Sequence, residues 1–291
     1  MLMPEIEYAR PTTVDEALDL LATHDNARAL AGGQTLINVL KLRLLGPERV
    51  VDITRIGELR GVRTLDDGSL EIGATTTYAE LTEAVDVWAV RPIVAEVASI
   101  IADVQVRNRG TIGGNACLNL PTSHFPPVLV AVGAELTVAG AEGERIVPAS
   151  EFFESPFTTA VRTGELLTRV RIPARRPGEA DTFAAMAAGR ESKSIVHVAT
   201  SLRLDGAVLE ASVVLGCVAS RPVRATAVEE RLVGTQADEE AARGAVEGLG
   251  ATLTPVSDVN ASGDFKRHVA EVLVERAVLE CAERARRGAG G

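Results

Sequence analysis

Two glycine-rich stretches, about 80 residues apart, constrain this chain more than any other feature. The first is Ala31-Gly32-Gly33-Gln34-Thr35, which follows the short apolar run Arg28-Ala29-Leu30-Ala31. It precedes a helical pattern over 36–45 that stops at Gly46-Pro47. The second is Arg107-Asn108-Arg109-Gly110-Thr111-Ile112-Gly113-Gly114-Asn115, with a further apolar run over 126–132. Glycine adopts positive φ and lets another group approach closely. Consecutive amides in such a turn can line a small anion-binding nest. A loop that opens a helix adds unpaired N–H groups and the positive end of the dipole. Taken singly, each stretch reads equally well as a tight turn with incidental glycines. Two in one chain suit the two sides of a dinucleotide pyrophosphate. Neither has the G-x-G-x-x-G or G-x-x-x-x-G-K-[ST] pattern, so the Rossmann fingerprint and the P-loop are absent.

The 291 residues suffice for about two domains. With aromatics at 3%, the core must be built from Ala, Val, Leu and Ile. A formal net charge of −10 argues against nucleic acid as the main partner. No apolar run reaches the roughly 20 residues of a membrane span. The start Met1-Leu2-Met3-Pro4-Glu5 has no signal-peptide character, so a cytoplasmic location is expected. Cys117, Cys217 and Cys281 are scattered, as are His24, His124, His197 and His268. That spacing predicts no disulfide framework, no metal site and no iron–sulfur centre in this chain.

Thr13 and Glu16 have capping-box spacing and open a helix whose face carries Val14, Ala17, Leu18 and Leu21. With a strand over 49–53, the order helix, strand, glycine loop, helix, strand predicts a small parallel β-α-β unit. Strands over 59–65 and 69–73 meet at the hairpin signal Asp66-Asp67-Gly68. Helices are expected over 78–84, 92–101 and 124–132, paired strands over 135–139 and 145–147, and a strand over 166–172. The turn-rich stretch 174–180 reads as a domain boundary. Beyond it, three antiparallel strands (182–188, 196–204, 208–215) precede helices over 225–232, 238–248 and 265–287. The last helix carries Val269, Val272, Leu273, Arg276 and Leu279 at helical spacing. Residues 288–291 are expected to be a disordered tail.

Ala31-Gly32-Gly33-Gln34-Thr35-Leu36 and Thr111-Ile112-Gly113-Gly114-Asn115 resemble the paired AGGxS and TIGGN motifs of the FAD-binding medium subunits of molybdenum hydroxylases. That group includes the medium subunit of aerobic carbon monoxide dehydrogenase and the flavin domain of xanthine dehydrogenase. The similarity runs nearly end to end, from Tyr8-Ala9-Arg10-Pro11-Thr12-Thr13 through Gly164-Glu165-Leu166-Leu167 and Leu202-Arg203-Leu204-Asp205-Gly206 to Lys266-Arg267-His268. The resemblance implies an α+β fold. An FAD-binding domain of the PCMH type would span 1–175, in two α/β subdomains of about 1–56 and 57–175. A C-terminal domain over 176–287 would hold a three-stranded antiparallel sheet and a helical bundle.

It also implies roles for residues. Leu30, Ala31, Gly32, Gly33, Gln34, Thr35 and Leu36 would line one side of the FAD pyrophosphate. Gly110, Thr111, Ile112, Gly113, Gly114 and Asn115 would grip the other. Ala116, Cys117, Ser123 and His124 would sit further along the nucleotide, and Leu166 or Leu167 near the adenine or flavin ring. Relatives often have an acidic residue where this chain has His124, and some have a lysine near Met186, where the nearest here is Lys193. Arg107 and Arg109 are candidates for long-range phosphate attraction, or else solvated loop arginines.

The implied function is electron transfer through non-covalently bound FAD. Electrons would come from [2Fe-2S] clusters on a small partner subunit and pass to an external acceptor. Substrate oxidation would occur at the molybdenum cofactor of a large partner subunit, in a dimer of heterotrimers. No general acid or base in this chain is assigned. Two alternatives stand beside it: a self-sufficient flavin oxidoreductase of the same fold, and a flavin-free assembly subunit.

Overall fold

The capping signal at the first helix is real but displaced by one residue. Thr13 Oγ1 accepts the N–H of Glu16 at 3.2 Å, while the Glu16 carboxylate reaches back to the N–H of Thr12 at 2.9 Å. The helix, Val14–Ala22, buries Ala17 and Leu21. These pack with Ala27, Val51, Ile53, Ile56 and Leu59 into the core of a small parallel sheet. Each of the leucine, isoleucine and valine side chains contributes about 1.5–3 kcal/mol when fully buried, and each alanine less. The sheet has Arg49–Asp52 at its centre, flanked by Glu7–Ala9 and Ala27–Leu30, both parallel to it. The β-α-β unit is therefore as the pattern predicts, with Glu7–Ala9 added to it. Three residues, two exposed and one half-buried, carry too little periodicity to be read as a strand.

A computed structural model of the chain describes residues 5–24, 26–189 and 193–288 and divides it into two units. The first comprises the residues up to Leu118, Glu135–Phe152 and Thr158–Arg171. Besides the parallel sheet it holds a five-stranded sheet in the order Val62–Thr64, Leu70–Gly73, Leu166–Ile172, Glu135–Gly140, Gly143–Pro148. The expected strand over 59–65 is shorter, because Gly57–Leu59 turns as a 3-10 helix that buries Leu59. Helices Tyr78–Glu83 and Ile93–Ile100 lie close to the predicted spans. Val85–Val90 and Val104–Arg107 are additional short helices.

The second unit comprises Asn119–Ala134, Phe153–Phe157 and the residues from Ile172 on. Its three long antiparallel strands are Glu179–Ala187, Ser194–Asp205 and Ala207–Gly216. The two-residue strand Val223–Arg224 extends the sheet at one edge. Helices Thr226–Leu232, Glu239–Val246 and Leu249–Thr252 accompany the long helix Gly263–Gly288. That long helix buries Val269, Ala270, Leu273, Val274, Ala277, Val278, Cys281, Ala282 and Ala285. The stripe drawn from the sequence is thus rotated: Arg276 is exposed, and alanines fill the face that meets the sheet. Small side chains allow close helix–sheet packing but weigh little in a count of large apolar residues. Of the expected tail, Gly288 instead closes the helix, and residues 289–291 lie outside the described residues.

Candidate cofactor site

The loop 31–35 leaves the carboxyl end of Ala27–Leu30, the edge at which parallel α/β units hold ligands. Gly33 turns it with φ +73°, the one left-handed glycine in the two motifs. Gly32 is required for another reason: a Cβ there would lie 2.0 Å from the carbonyl oxygen of Arg109. The two stretches therefore meet backbone to backbone. Among the described residues, the N–H groups of Gly32, Gly33, Gln34 and Thr35 donate to no protein acceptor. Thr35 precedes the helix Leu36–Lys41 without capping it through its side chain. The whole stretch from Ala31 to Leu36 is partly exposed. Unpaired donors of this kind persist where water or a ligand satisfies them.

The second stretch is built differently. The N–H of Gly110 donates to Val106 O (2.6 Å), that of Ile112 to Thr76 O (3.1 Å), and that of Gly113 to Ala74 O (2.9 Å). The N–H of Gly114 donates to Thr111 Oγ1 (3.0 Å) and that of Asn115 to Thr111 O (3.0 Å). The nest expected here is not formed, because these amides are used to seat the loop and start the helix Ile112–Leu118. The glycines permit contact instead. A Cβ on Gly113 would lie 2.6 Å from Ala74 O, and one on Gly110 would lie 2.5 Å from Tyr78 Cε2. Gly114 alone is exposed, and a Cβ there meets only Thr111 Oγ1, at 2.8 Å.

Tyr78 is the residue the sequence reading passed over. Its N–H donates to Gly110 O at 3.0 Å, and its phenol oxygen accepts from Asn115 Nδ2 at 3.0 Å. Burial holds the phenol above its ordinary pKa, so it stays protonated. The available signal was Thr77-Tyr78-Ala79-Glu80: Thr77 and Glu80 form a full capping box that fixes the helix start and with it the Tyr78 backbone. Ala116 is buried, and burial pushes the Cys117 thiol up to about 12. Arg107 holds the preceding turn, its Nη1 donating to Ile101 O and Ala102 O at 3.1 and 2.6 Å. Arg109 is exposed.

The remaining site candidates are placed elsewhere. Leu166 is part of the core beneath the parallel sheet, and Leu167 is buried opposite Val138. Ser123 and His124 belong to the second unit. Ser123 is buried, and its N–H donates to Leu120 O at 2.8 Å. His124 Nε2 shares a hydrogen bond with Ser194 Oγ at 2.9 Å, and its ring lies 5.1 Å from both Phe183 and His197. Burial lowers its pKa to about 4, so it is neutral at pH 7 and offers no anionic acceptor. His197 is driven well down by burial and by His124, and its Nδ1 lies 3.6 Å from Cys217 Sγ. Lys193 is exposed. Among the described residues no group of three or more His, Cys, Asp or Glu side chains is arranged to hold a metal ion.

The first unit thus fits the dinucleotide that the resemblance implies. A pyrophosphate needs several N–H or O–H donors on a surface its oxygens can approach. Four unpaired N–H groups in a row supply the donors, and the bare Gly114 leaves room in the adjoining loop.

Comparison with known proteins leads to the same family. The model for the FAD binding domain in molybdopterin dehydrogenase matches residues 4–175, and that for the CO dehydrogenase flavoprotein C-terminal domain matches 181–281. The chain is 35% identical to the glyceraldehyde dehydrogenase medium chain of Sulfolobus acidocaldarius, over 97% of this chain and all of the relative. It is also 35% identical to the carbon monoxide dehydrogenase medium chain of Hydrogenophaga pseudoflava, over 96% of this chain and 97% of the relative. Among solved structures, a Cu,Mo-CO dehydrogenase chain superposes with a TM-score of 0.93 at 35% identity, covering 98% of this chain and 100% of that one. A chain of quinoline 2-oxidoreductase from Pseudomonas putida 86 gives 0.93 at 30% identity, covering 98% and 99%. The chain belongs to the FAD-binding medium subunits of the molybdenum hydroxylase family, and is an oxidoreductase flavoprotein subunit.

Proposed function

We propose that this chain carries electrons through non-covalently bound FAD, from iron–sulfur clusters on a partner subunit to an external acceptor. The run of unpaired N–H groups from Gly32 to Thr35 is the observation that carries this reading. These donors, with Leu30, Ala31 and Leu36, would hold one side of the pyrophosphate. Gly110 to Asn115, with Ala116 and Cys117, would form the other wall. Leu166 and Leu167 are buried, and Ser123 and His124 lie in the second unit, so no direct contact with FAD is assigned to them. The FAD-binding domain would extend over 1–175 and the C-terminal domain over 176–287. FAD, when bound, supplies the redox chemistry. The chain's residues bind and orient it, and neither loop places a general acid or base beside it.

The partners in this reading are a large molybdopterin-binding subunit and a small [2Fe-2S] subunit, in a dimer of heterotrimers located in the cytoplasm. Relatives named as medium chains or complex subunits support the multi-subunit part. The purified chain, titrated with FAD, should develop the bands of a bound flavin and quench free-flavin fluorescence. No binding at saturating FAD sinks the reading. Co-expression with a large molybdopterin-binding subunit and a small [2Fe-2S] subunit from the same organism should yield one complex on a sizing column. Full substrate turnover by the FAD-loaded chain alone would show a self-sufficient enzyme instead.

A further inference from the structure

We propose that Tyr78 is a positioning residue for the cofactor: it orients the Asn115 carboxamide and seats the Gly110–Asn115 wall. This rests on the FAD reading above. Three contacts converge on it. Its N–H donates to Gly110 O at 3.0 Å, and the flanking Ile112 N–H donates to Thr76 O at 3.1 Å, so 76–78 and 110–112 run as a short antiparallel pair with a bridge at Thr77 and Thr111. The ring lies against Gly110 so closely that a Cβ there would be 2.5 Å from Tyr78 Cε2. The phenol oxygen, inside a residue only 4% exposed, takes a hydrogen bond from Asn115 Nδ2 at 3.0 Å.

Asn115 is partly exposed, on the first turn of the helix that begins at Ile112. A carboxamide there can rotate by half a turn about its last torsion and exchange donor for acceptor. The hydrogen bond to the buried Tyr78 oxygen, whose own movement is blocked by packing, restrains that rotation and fixes where the carboxamide sits. The phenol is an unusual choice for such a buried position unless its oxygen is used. The backbone pairing and the ring contact would serve equally well with phenylalanine.

The test uses the full chain stripped of flavin, in four forms: wild type, Tyr78→Phe, Asn115→Ala and the double variant. Tyr78→Phe keeps the ring and removes only the hydroxyl. FAD affinity should fall roughly three- to tenfold, as for the loss of one ordering hydrogen bond. The melting temperature of the flavin-free protein should move far less than FAD-dependent stabilisation does. In the Asn115→Ala background the same substitution should have no further effect on FAD affinity. Equal FAD affinity in wild type and Tyr78→Phe overturns the inference while leaving the FAD reading intact. So does a loss that is undiminished in the Asn115→Ala background. If wild type itself fails to bind FAD, the broader reading fails, and this inference with it.

Discussion

The loops 31–35 and 110–115 are both glycine-rich and lie against each other, yet their glycines do opposite things. In the first, Gly33 bends the chain and four successive N–H groups are left without protein acceptors. In the second, the amides of Gly110, Ile112, Gly113, Gly114 and Asn115 are all satisfied internally. One loop supplies donors and the other supplies a wall. The same residue type therefore marks two unrelated requirements, positive φ or close approach, and sequence alone does not separate them.

The strongest way to break this contrast is at the contact between the loops. In Gly32→Val, Cβ would sit 2.0 Å from Arg109 O, and the atoms it meets are all backbone. Overpacking of this kind costs about 1–3 kcal/mol and occasionally more. Gly32→Val should lower the melting temperature of the flavin-free chain and abolish FAD binding. Gly113→Val, facing Ala74 O at 2.6 Å, should behave in the same way. A normally stable Gly32→Val protein would mean that the loops are not held together as described.

Gly114→Val separates wall from scaffold. The new side chain meets only the Thr111 hydroxyl, at 2.8 Å, and no backbone atom, so the melting temperature should fall less than in Gly32→Val. It would project from the exposed face of the second loop, so FAD affinity should drop more than about thirtyfold, or roughly 2 kcal/mol. Retention of flavin by a folded Gly114→Val chain would remove the second loop from the site.

Much of this was legible beforehand. The β-α-β unit, the strand Leu166–Ile172 and the second unit's three long strands follow from strong period-2 or apolar runs between turn signals. The meeting of the two loops was legible only as a pair of motifs. Nothing local encodes the 2.0 Å approach of Gly32 to Arg109 or the role of Tyr78 beneath Gly110. The rotated stripe of the last helix failed for a different reason, since Ala270, Ala277, Ala282 and Ala285 are buried but small. His124 marked a departure from the acidic pattern of relatives, while its pairing with Ser194, Phe183 and His197 depends on strands 59 to 73 residues away.

Acid sharpens the contrast between the units. The donors of the first loop are amides and do not titrate. In the second unit His124 has a folded-state pKa of about 4, below its usual 6.5. The unfolded chain therefore takes up a proton first as the pH falls. Stability is full above about 6.5 and declines until about 4, where the folded state protonates as well. The decline is about 1.4 kcal/mol for each pH unit below the unfolded pKa. His197, shifted in the same direction, adds to it. Urea midpoints measured from pH 7.5 to 4.5 should fall in wild type and fall less steeply in His124→Asn. Parallel curves for the two proteins would show that His124 is not buried in the neutral form.

The smallest change tests the donor loop atom by atom. Thr35 has an unpaired N–H, and its hydroxyl does not cap the helix that follows. Thr35→Val keeps the shape of the side chain and removes only the hydroxyl. If the pyrophosphate takes the Thr35 hydroxyl as a donor beside the N–H groups of this loop, one charge-assisted hydrogen bond is lost, about 1.5–3 kcal/mol where it is fully formed and less where water shares it. FAD affinity should fall about tenfold with no loss of flavin-free stability, because among the described residues the hydroxyl makes no hydrogen bond. The corresponding change in the other loop, Thr111→Val, removes the acceptor of the Gly114 N–H. It should therefore lower stability as well as affinity. If Thr35→Val and Thr111→Val prove alike, with both lowering stability or neither doing so, the division between a donor loop and a wall loop is wrong.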